Sequence, residues 1–159
     1  RDQSPKPRKV EVYGLLYGAR HYIVGKQLDG DSDRLRTYRL DTILTAKVTD
    51  QTYSIPEDFD LHAFANRAFG VYQNDAEYCD IVWRFAPEAA KNAQSYLFHP
   101  HQTLEECQDG SIIVRFKASG LLEMCWHLYS WGDHVEVIEP EALRMMVENY
   151  RRADFPAMP

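Results

Sequence analysis

Cationic and aromatic side chains alternate through the first fifty residues. Lys6, Arg8, Lys9, Arg20, Lys26, Arg34, Arg36, Arg39 and Lys47 are interleaved with Tyr13, Tyr17, Tyr22 and Tyr38. Single-stranded nucleic acid asks for both kinds of side chain. Guanidinium forks hold phosphates bidentately, and flat rings stack on bases, each stacked base contributing about 1–3 kcal/mol. A plainer reading stands beside this one. The same arginines could be solvated strand-face residues, or could pair with Asp29, Asp31, Asp33 and Asp41.

Other chemistry finds little support. His99-Pro100-His101 offers two alternating imidazoles, with Glu105, Glu106 and Cys107 nearby, but a closed metal site needs further ligands at a recognised spacing. Pro100 there suits a helix exit. No G-x-S-x-G, H-E-x-x-H, G-x-G-x-x-G or P-loop pattern occurs. Cys125 and His127 are two apart on an expected helix, so they do not face each other. The chain is therefore expected not to be an enzyme and to carry no metal and no cofactor. Trp83, Trp126 and Trp131 are expected to pack in a core or at a dimer interface.

The elements that must position these residues come from a chain of 159 residues, 45% apolar and 26% charged. That composition excludes global disorder. The net charge of −6 argues against an indiscriminate nucleic-acid binder, yet the charge is unevenly spread. Residues 1–50 hold ten Lys/Arg against seven Asp/Glu, and the remainder eight against seventeen. Such asymmetry suggests two units with different partners. Three widely spaced cysteines without a C-x-x-C pair form no disulfide framework and suit a reducing cytoplasm. No apolar run is long enough for a spanning helix, so no membrane partner is expected. The opening Arg1-Asp2-Gln3-Ser4-Pro5 reads as the cut edge of a longer chain.

Alternation predicts strands over residues 10–17, 21–24 and 35–40, with another over 43–48. Short strands spaced by roughly ten residues suggest a small barrel, with its first strand upstream of Arg1. Leu61, Phe64, Ala65 and Ala68 repeat at helical spacing, with Asp60 as cap. From Tyr78 onward the period alternates. A strand over 79–85 precedes a helix from Pro87 to Leu97, then a hairpin turning at Asp109-Gly110. A helix after Gly120, a strand over 135–138 and a helix carrying Leu143, Met146, Val147 and Tyr150 follow. The order βαββαβα is the split βαβ pattern with one appended helix.

These residues resemble a known family. Tyr13-Gly14-Leu15-Leu16-Tyr17, Arg20-His21-Tyr22-Ile23-Val24-Gly25 and Leu35 to Ile43 are similar to the WYL domain of bacterial transcriptional regulators. The Trp-Tyr-Leu motif falls on His21, Tyr22 and Ile23, and the Arg-x-Phe-Arg-Leu-Asp-Arg-Ile segment on residues 36–43. The sequence departs from the pattern at His21 (for Trp), Val12 (for Pro) and Thr42 (for Arg). Ser111 to Phe116, Ser130-Trp131-Gly132 and Val135 to Pro140 resemble the WCX extension that follows WYL.

The resemblance implies an α+β chain: a small SH3/Sm-like β-barrel over 1–56, a linker with one helix over 57–77, and a ferredoxin-like βαββαβ unit with an appended C-terminal helix over 78–159. It further implies effector sensing by the barrel, with single-stranded DNA or a nucleotide-like ligand as partner. The second unit would support a homodimer. Double-stranded DNA would be bound only through a winged-helix domain preceding Arg1. Within the barrel, Arg36, Tyr38 and Leu40 share one strand face, and Leu35, Thr37 and Arg39 the other. With Tyr38 and Leu40 inward, Arg36 falls near the barrel mouth. Arg8, His21, Tyr22 and Arg36 form the first-ranked ligand constellation, and Arg34 and Arg39 the second. The alternative is a purely structural oligomerisation module with no ligand, motivated by the three departures.

Overall fold

The computed structural model describes residues 5–18, 20–30 and 33–149. It divides into two units, residues 1–65 and 66–159. The helix expected within 57–77 ends the first unit, and the residues after it run with the second.

The first unit is a three-stranded antiparallel meander of β1 (Val10–Tyr17), β2 (His21–Gln27) and β3 (Leu35–Arg39), in that spatial order. The β1–β2 register breaks between Val12, opposite Gly25, and Gly14, opposite Val24, which makes Tyr13 a bulge residue. Gly25 accommodates the bulge. A Cβ there would stand 2.6 Å from both the Glu11 carbonyl oxygen and Val10 Cγ1.

One side of this sheet is packed. Val24 is fully buried, and the Leu61 side chain lies over Gly14, leaving no room there for a Cβ. The Tyr13 ring meets Phe59 edge-on at 5.1 Å, and Phe59 in turn lies against Phe64. Leu61 belongs to α1 (Leu61–Ala65), capped as its sequence predicts: Asp60 Oδ1 accepts from the amides of His62 and Ala63 at 2.8 and 3.2 Å.

Three expectations fail here. Residues 43–48 form no strand: a 3-10 turn at Leu40–Thr42 ends β3, and the segment beyond runs exposed. Its β-branched content does not suffice without a neighbouring strand to pair with. Tyr38, expected to point inward, lies on the side opposite Val24, since Ile23 pairs with Tyr38 and Val24 with Thr37. Leu40 is exposed. The helix stops at Ala65 rather than Ala68 because the next backbone groups pair elsewhere. Ser119 donates its amide to the Arg67 carbonyl and accepts from Phe69, both at 2.9 Å.

The second unit is a four-stranded antiparallel sheet of β4 (Cys79–Phe85), β5 (Thr103–Glu106), β6 (Ile112–Ala118) and β7 (Val135–Glu139), ordered β5-β6-β4-β7. Helices α2 (Pro87–Gln94) and α3 (Leu121–Tyr129) are its crossovers, and α4 (Glu141–Asn149) is the appended helix. This is the ferredoxin-like arrangement the period change predicts. Its core holds Ile81, Trp83, Phe85, Val114, Met124, Leu128 and Leu143, all fully or almost fully buried. Gly110 and Gly120 take φ of 83° and 99°, which admits the hairpin turn and the entry to α3.

Helix α2 ends at Gln94, three residues earlier than expected. Gln102 explains the exit: its Oε1 accepts from the Phe98 and His99 amides at 2.7 and 3.1 Å, and its Nε2 donates to the Tyr96 carbonyl. The turn so formed buries Phe98 and His99. Tyr150 lies outside the described residues.

Candidate nucleic-acid interface

Cross-strand pairing decides which side chains of the first unit can act together. Tyr17 pairs with His21, Leu15 with Ile23 and Tyr38, Val12 with Gly25 and Arg36, and Val10 with Gln27. These residues share one face of the sheet. Leu16, Tyr22 and Arg39 share the other, with Val24, Thr37, Lys26 and Leu35.

Gln27 organises the first face. It is 6% exposed, and its Oε1 accepts from Arg8 Nη1 at 2.8 Å and, at the long distance of 3.4 Å, from the Tyr38 hydroxyl. Tyr38 stands opposite Ile23, while Gln27 is four residues further along β2. The ring therefore runs along the face past Gly25, which has no side chain to obstruct it. Burial pushes the Tyr38 hydroxyl pKa up, the Arg36 and Arg8 charges pull it part of the way back, and Asp29 adds to the rise. Both guanidiniums thus act on one phenol. Arg8 is held by a neutral amide, and among the described residues neither Arg8 nor Arg36 makes an ion pair. At the hairpin end, His21 meets the Tyr17 ring edge-on at 5.0 Å, and both are exposed.

The opposite face is electrostatically different. Arg39 donates from Nε and Nη2 to the two Asp41 carboxylate oxygens at 3.0 and 2.6 Å. That bidentate bond raises the Arg39 pKa and depresses that of Asp41. Lys26 is paired with Asp33 at 2.8 Å beside an open depression of about 360 Å³ lined by Tyr13, Leu35 and Phe59. Cations on this side are already matched by carboxylates.

The structure therefore brings Arg8, Arg36 and His21 to one face and sets Tyr22 and Arg39 on the other. Arg34 lies exposed in the lead-in to β3. Gln27, Tyr38 and Tyr17 complete the first face without having been among the ranked residues. Parity along β2 and β3 links Gln27 to His21 and Tyr38 to Arg36, but placing Tyr17 there requires the bulge.

In the second unit the polar chemistry is structural. Arg84 pairs with Asp109, which also accepts from the Ser111 hydroxyl at 2.6 Å and the Ser111 amide at 3.0 Å. These bonds hold the Asp109 carboxyl at about 2. His99 accepts or donates at Nε2 against the Asn66 carbonyl at 2.8 Å and stacks on Phe116. His127 Nε2 accepts from the Trp131 indole at 3.2 Å. Burial lowers the pKa of both imidazoles. Among the described residues, no cluster of three or more His, Cys, Asp or Glu could hold a metal.

A sheet meander with a cationic, ring-bearing face is thus followed by a ferredoxin-like unit. A family model described as a WYL domain matches residues 1–48, and one described as a WCX domain matches residues 77–153. The chain carries a WYL domain followed by a WCX domain. Among solved structures, proteasome accessory factor B/C (PafBC) of Arthrobacter aurescens is similar to 88% of the chain, with 21% identity and a TM-score of 0.36. The chain spans 21% of that protein's length. No curated protein matches the sequence significantly. Among the described residues no helix is long and apolar enough to cross a membrane.

Proposed function

We propose that the chain is the effector-sensing and dimerising region of a bacterial transcriptional regulator acting in the cytoplasm. The first unit binds short single-stranded DNA or a nucleotide-like anion on the face carrying Arg8, Arg36, Tyr38 and His21. The observation that carries this reading is the contrast between the two faces. Arg39 and Lys26 are matched by aspartates, whereas Arg8 rests on a neutral amide and Arg36 makes no ion pair among the described residues. A phosphate arriving at this face displaces no carboxylate, so little of its binding energy is lost to breaking existing pairs. The second unit supports a homodimer, and binding controls the placement of DNA-reading domains elsewhere in the full protein. Such control requires the ligand to prefer one arrangement energetically. No catalytic step is assigned to the chain.

Fluorescence anisotropy with labelled single-stranded DNA tests the reading. Arg36→Ala and Arg8→Ala are each expected to weaken binding about tenfold, as removal of a charge-assisted hydrogen bond does. Binding that is absent, or unchanged in both variants, overturns it.

A second reading is a structural module that binds no ligand. His21, Val12 and Thr42 depart from the family pattern, which favours this reading. It predicts a dimer by sedimentation with no thermal shift from nucleotides or oligonucleotides.

A further inference from the structure

Tyr53 grips β1 at the residue just before its bulge. The Val12 amide donates to the Tyr53 hydroxyl at 2.9 Å, and that hydroxyl donates to the Val12 carbonyl at 2.7 Å. Both backbone groups of Val12 therefore point away from β2. On the far side of the bulge the Leu61 side chain lies over Gly14, and the hairpin sets Tyr17 opposite His21. Between them Tyr13 turns its ring to Phe59 at 5.1 Å. Three consecutive residues of β1 are thus held by one segment, residues 53–61.

The alternative to a bulge is a slip. With the half of β1 beyond Gly14 held in place, a regular strand forms when the half before it moves by one residue. Tyr13 then faces Gly25 in place of Val12, and Glu11 faces Gln27 in place of Val10. Val10 and Val12 turn to the Val24 side of the sheet, and Arg8, now bonded to Gln27, turns with them. The hydrophobic pattern favours this slip, because Val12 is 37% exposed where it stands and the Val24 side is the packed one. Charge changes with register. The face of Arg36 loses the Arg8 guanidinium and gains the Glu11 carboxylate.

We infer, resting on the reading above, that Tyr53 is the latch of a register switch: latched, β1 presents Arg8 to the anion; released, it presents Glu11, which repels phosphate. Phosphate prefers the first register by charge, so ligand and latch stabilise each other reciprocally. Tyr53 stands on the segment that leads through α1 to the second unit, which gives binding at the sheet a covalent route to the rest of the chain.

Tyr53→Phe in the 159-residue chain tests the latch, read by nuclear magnetic resonance without ligand and by anisotropy with labelled single-stranded DNA. An antiparallel pair whose backbone groups point outward brings its Cα atoms to about 4.5 Å, so Val12 and Gly25 give a strong Hα–Hα NOE in the native register. Tyr53→Phe is expected to weaken that NOE and to raise one between Tyr13 and Gly25. Affinity is expected to fall severalfold, towards that of Arg8→Ala. Glu11→Gln changes little in the native chain, where Glu11 lies opposite Lys26 on the other side of the sheet, but is expected to restore part of the affinity lost in Tyr53→Phe. A Val12–Gly25 NOE that keeps its full intensity in Tyr53→Phe overturns the latch, and so does a Glu11→Gln change that restores nothing. If single-stranded DNA does not bind the native chain while the two NOEs exchange as described, the functional reading fails and the register switch stands.

Discussion

Arg8 donates to Gln27 Oε1 at 2.8 Å, and Gln27 is almost completely buried. A neutral acceptor orients the guanidinium without consuming its charge. Gln27→Glu converts this contact into an ion pair of nearly the same shape. Arg8 would then offer less to a phosphate, and single-stranded DNA binding is expected to weaken severalfold, with a shallower salt dependence. Anisotropy titrations of both proteins at several salt concentrations measure this. Tighter binding by the glutamate variant would contradict the role assigned to Arg8.

Gly25 and Gly14 both lack room for a Cβ, yet their substitutions should differ. At Gly25 the obstruction includes the Glu11 carbonyl oxygen, which is backbone in a paired strand. At Gly14 it is the end of the Leu61 side chain, which can rotate. Gly25→Ala is expected to destabilise the first unit by about 1–3 kcal/mol, and Gly14→Ala by less, in urea unfolding followed by circular dichroism.

Tyr53 closes the open edge of β1. Its hydroxyl accepts from the Val12 amide at 2.9 Å and donates to the Val12 carbonyl at 2.7 Å. One side-chain atom thereby satisfies both backbone groups of a bulge-flanking residue on an edge strand. Tyr53→Phe removes both bonds at a partly exposed site. The expected cost is about 0.5–1.5 kcal/mol, with faster hydrogen exchange at the Val12 amide. Unchanged exchange at Val12 would show that the contact does not hold the edge.

Two desolvated imidazoles, buried His99 and half-buried His127, predict an acid-sensitive second unit. Burial lowers the pKa of His127, and at His99 burial is the leading cause, with the His101 charge adding to it and the Asn66 carbonyl opposing. A folded-state pKa below the unfolded value means the unfolded chain takes up protons first as pH falls. Stability is therefore full above the unfolded histidine value of about 6.5 and declines as pH falls through the lower folded values. Asp109, held at about 2, has the same sign but acts between its ordinary range near 4 and pH 2. All three tryptophans lie in this unit, so their fluorescence reports its unfolding. His127→Phe should flatten the decline that sets in below about pH 6.5 without altering the Asp109-linked one at lower pH.

The second unit was largely legible in the sequence, because its signals are local. Alternation over Cys79–Phe85, Pro87 at a helix start, the Asp109-Gly110 turn and Gly120 before α3 each name an element without reference to distant residues. The first unit was less legible because pairing outweighs propensity there. Residues 43–48 have strand composition and no strand to join. The bulge at Tyr13 has a larger consequence. Without it Tyr17 would project to the Leu16 side; with it Tyr17 comes to the face of His21, Tyr38 and Arg36. A one-residue shift in register exchanges the two faces, and no residue type in β1 announces it. Tyr22, which lies on the family motif with His21, follows it directly in β2 and so faces the opposite side of the sheet by simple alternation.

The most direct measurement of the central claim is the salt dependence of single-stranded DNA binding by the 159-residue chain and its Arg8→Ala, Arg36→Ala and Arg39→Ala variants. Each lost phosphate contact lowers the slope of log affinity against log salt by about 0.7. The account predicts that loss for Arg8→Ala and for Arg36→Ala, and an unchanged slope for Arg39→Ala, whose guanidinium is already held by Asp41. A slope that falls for Arg39→Ala but not for Arg36→Ala would assign the ligand to the other side of the sheet and contradict the account.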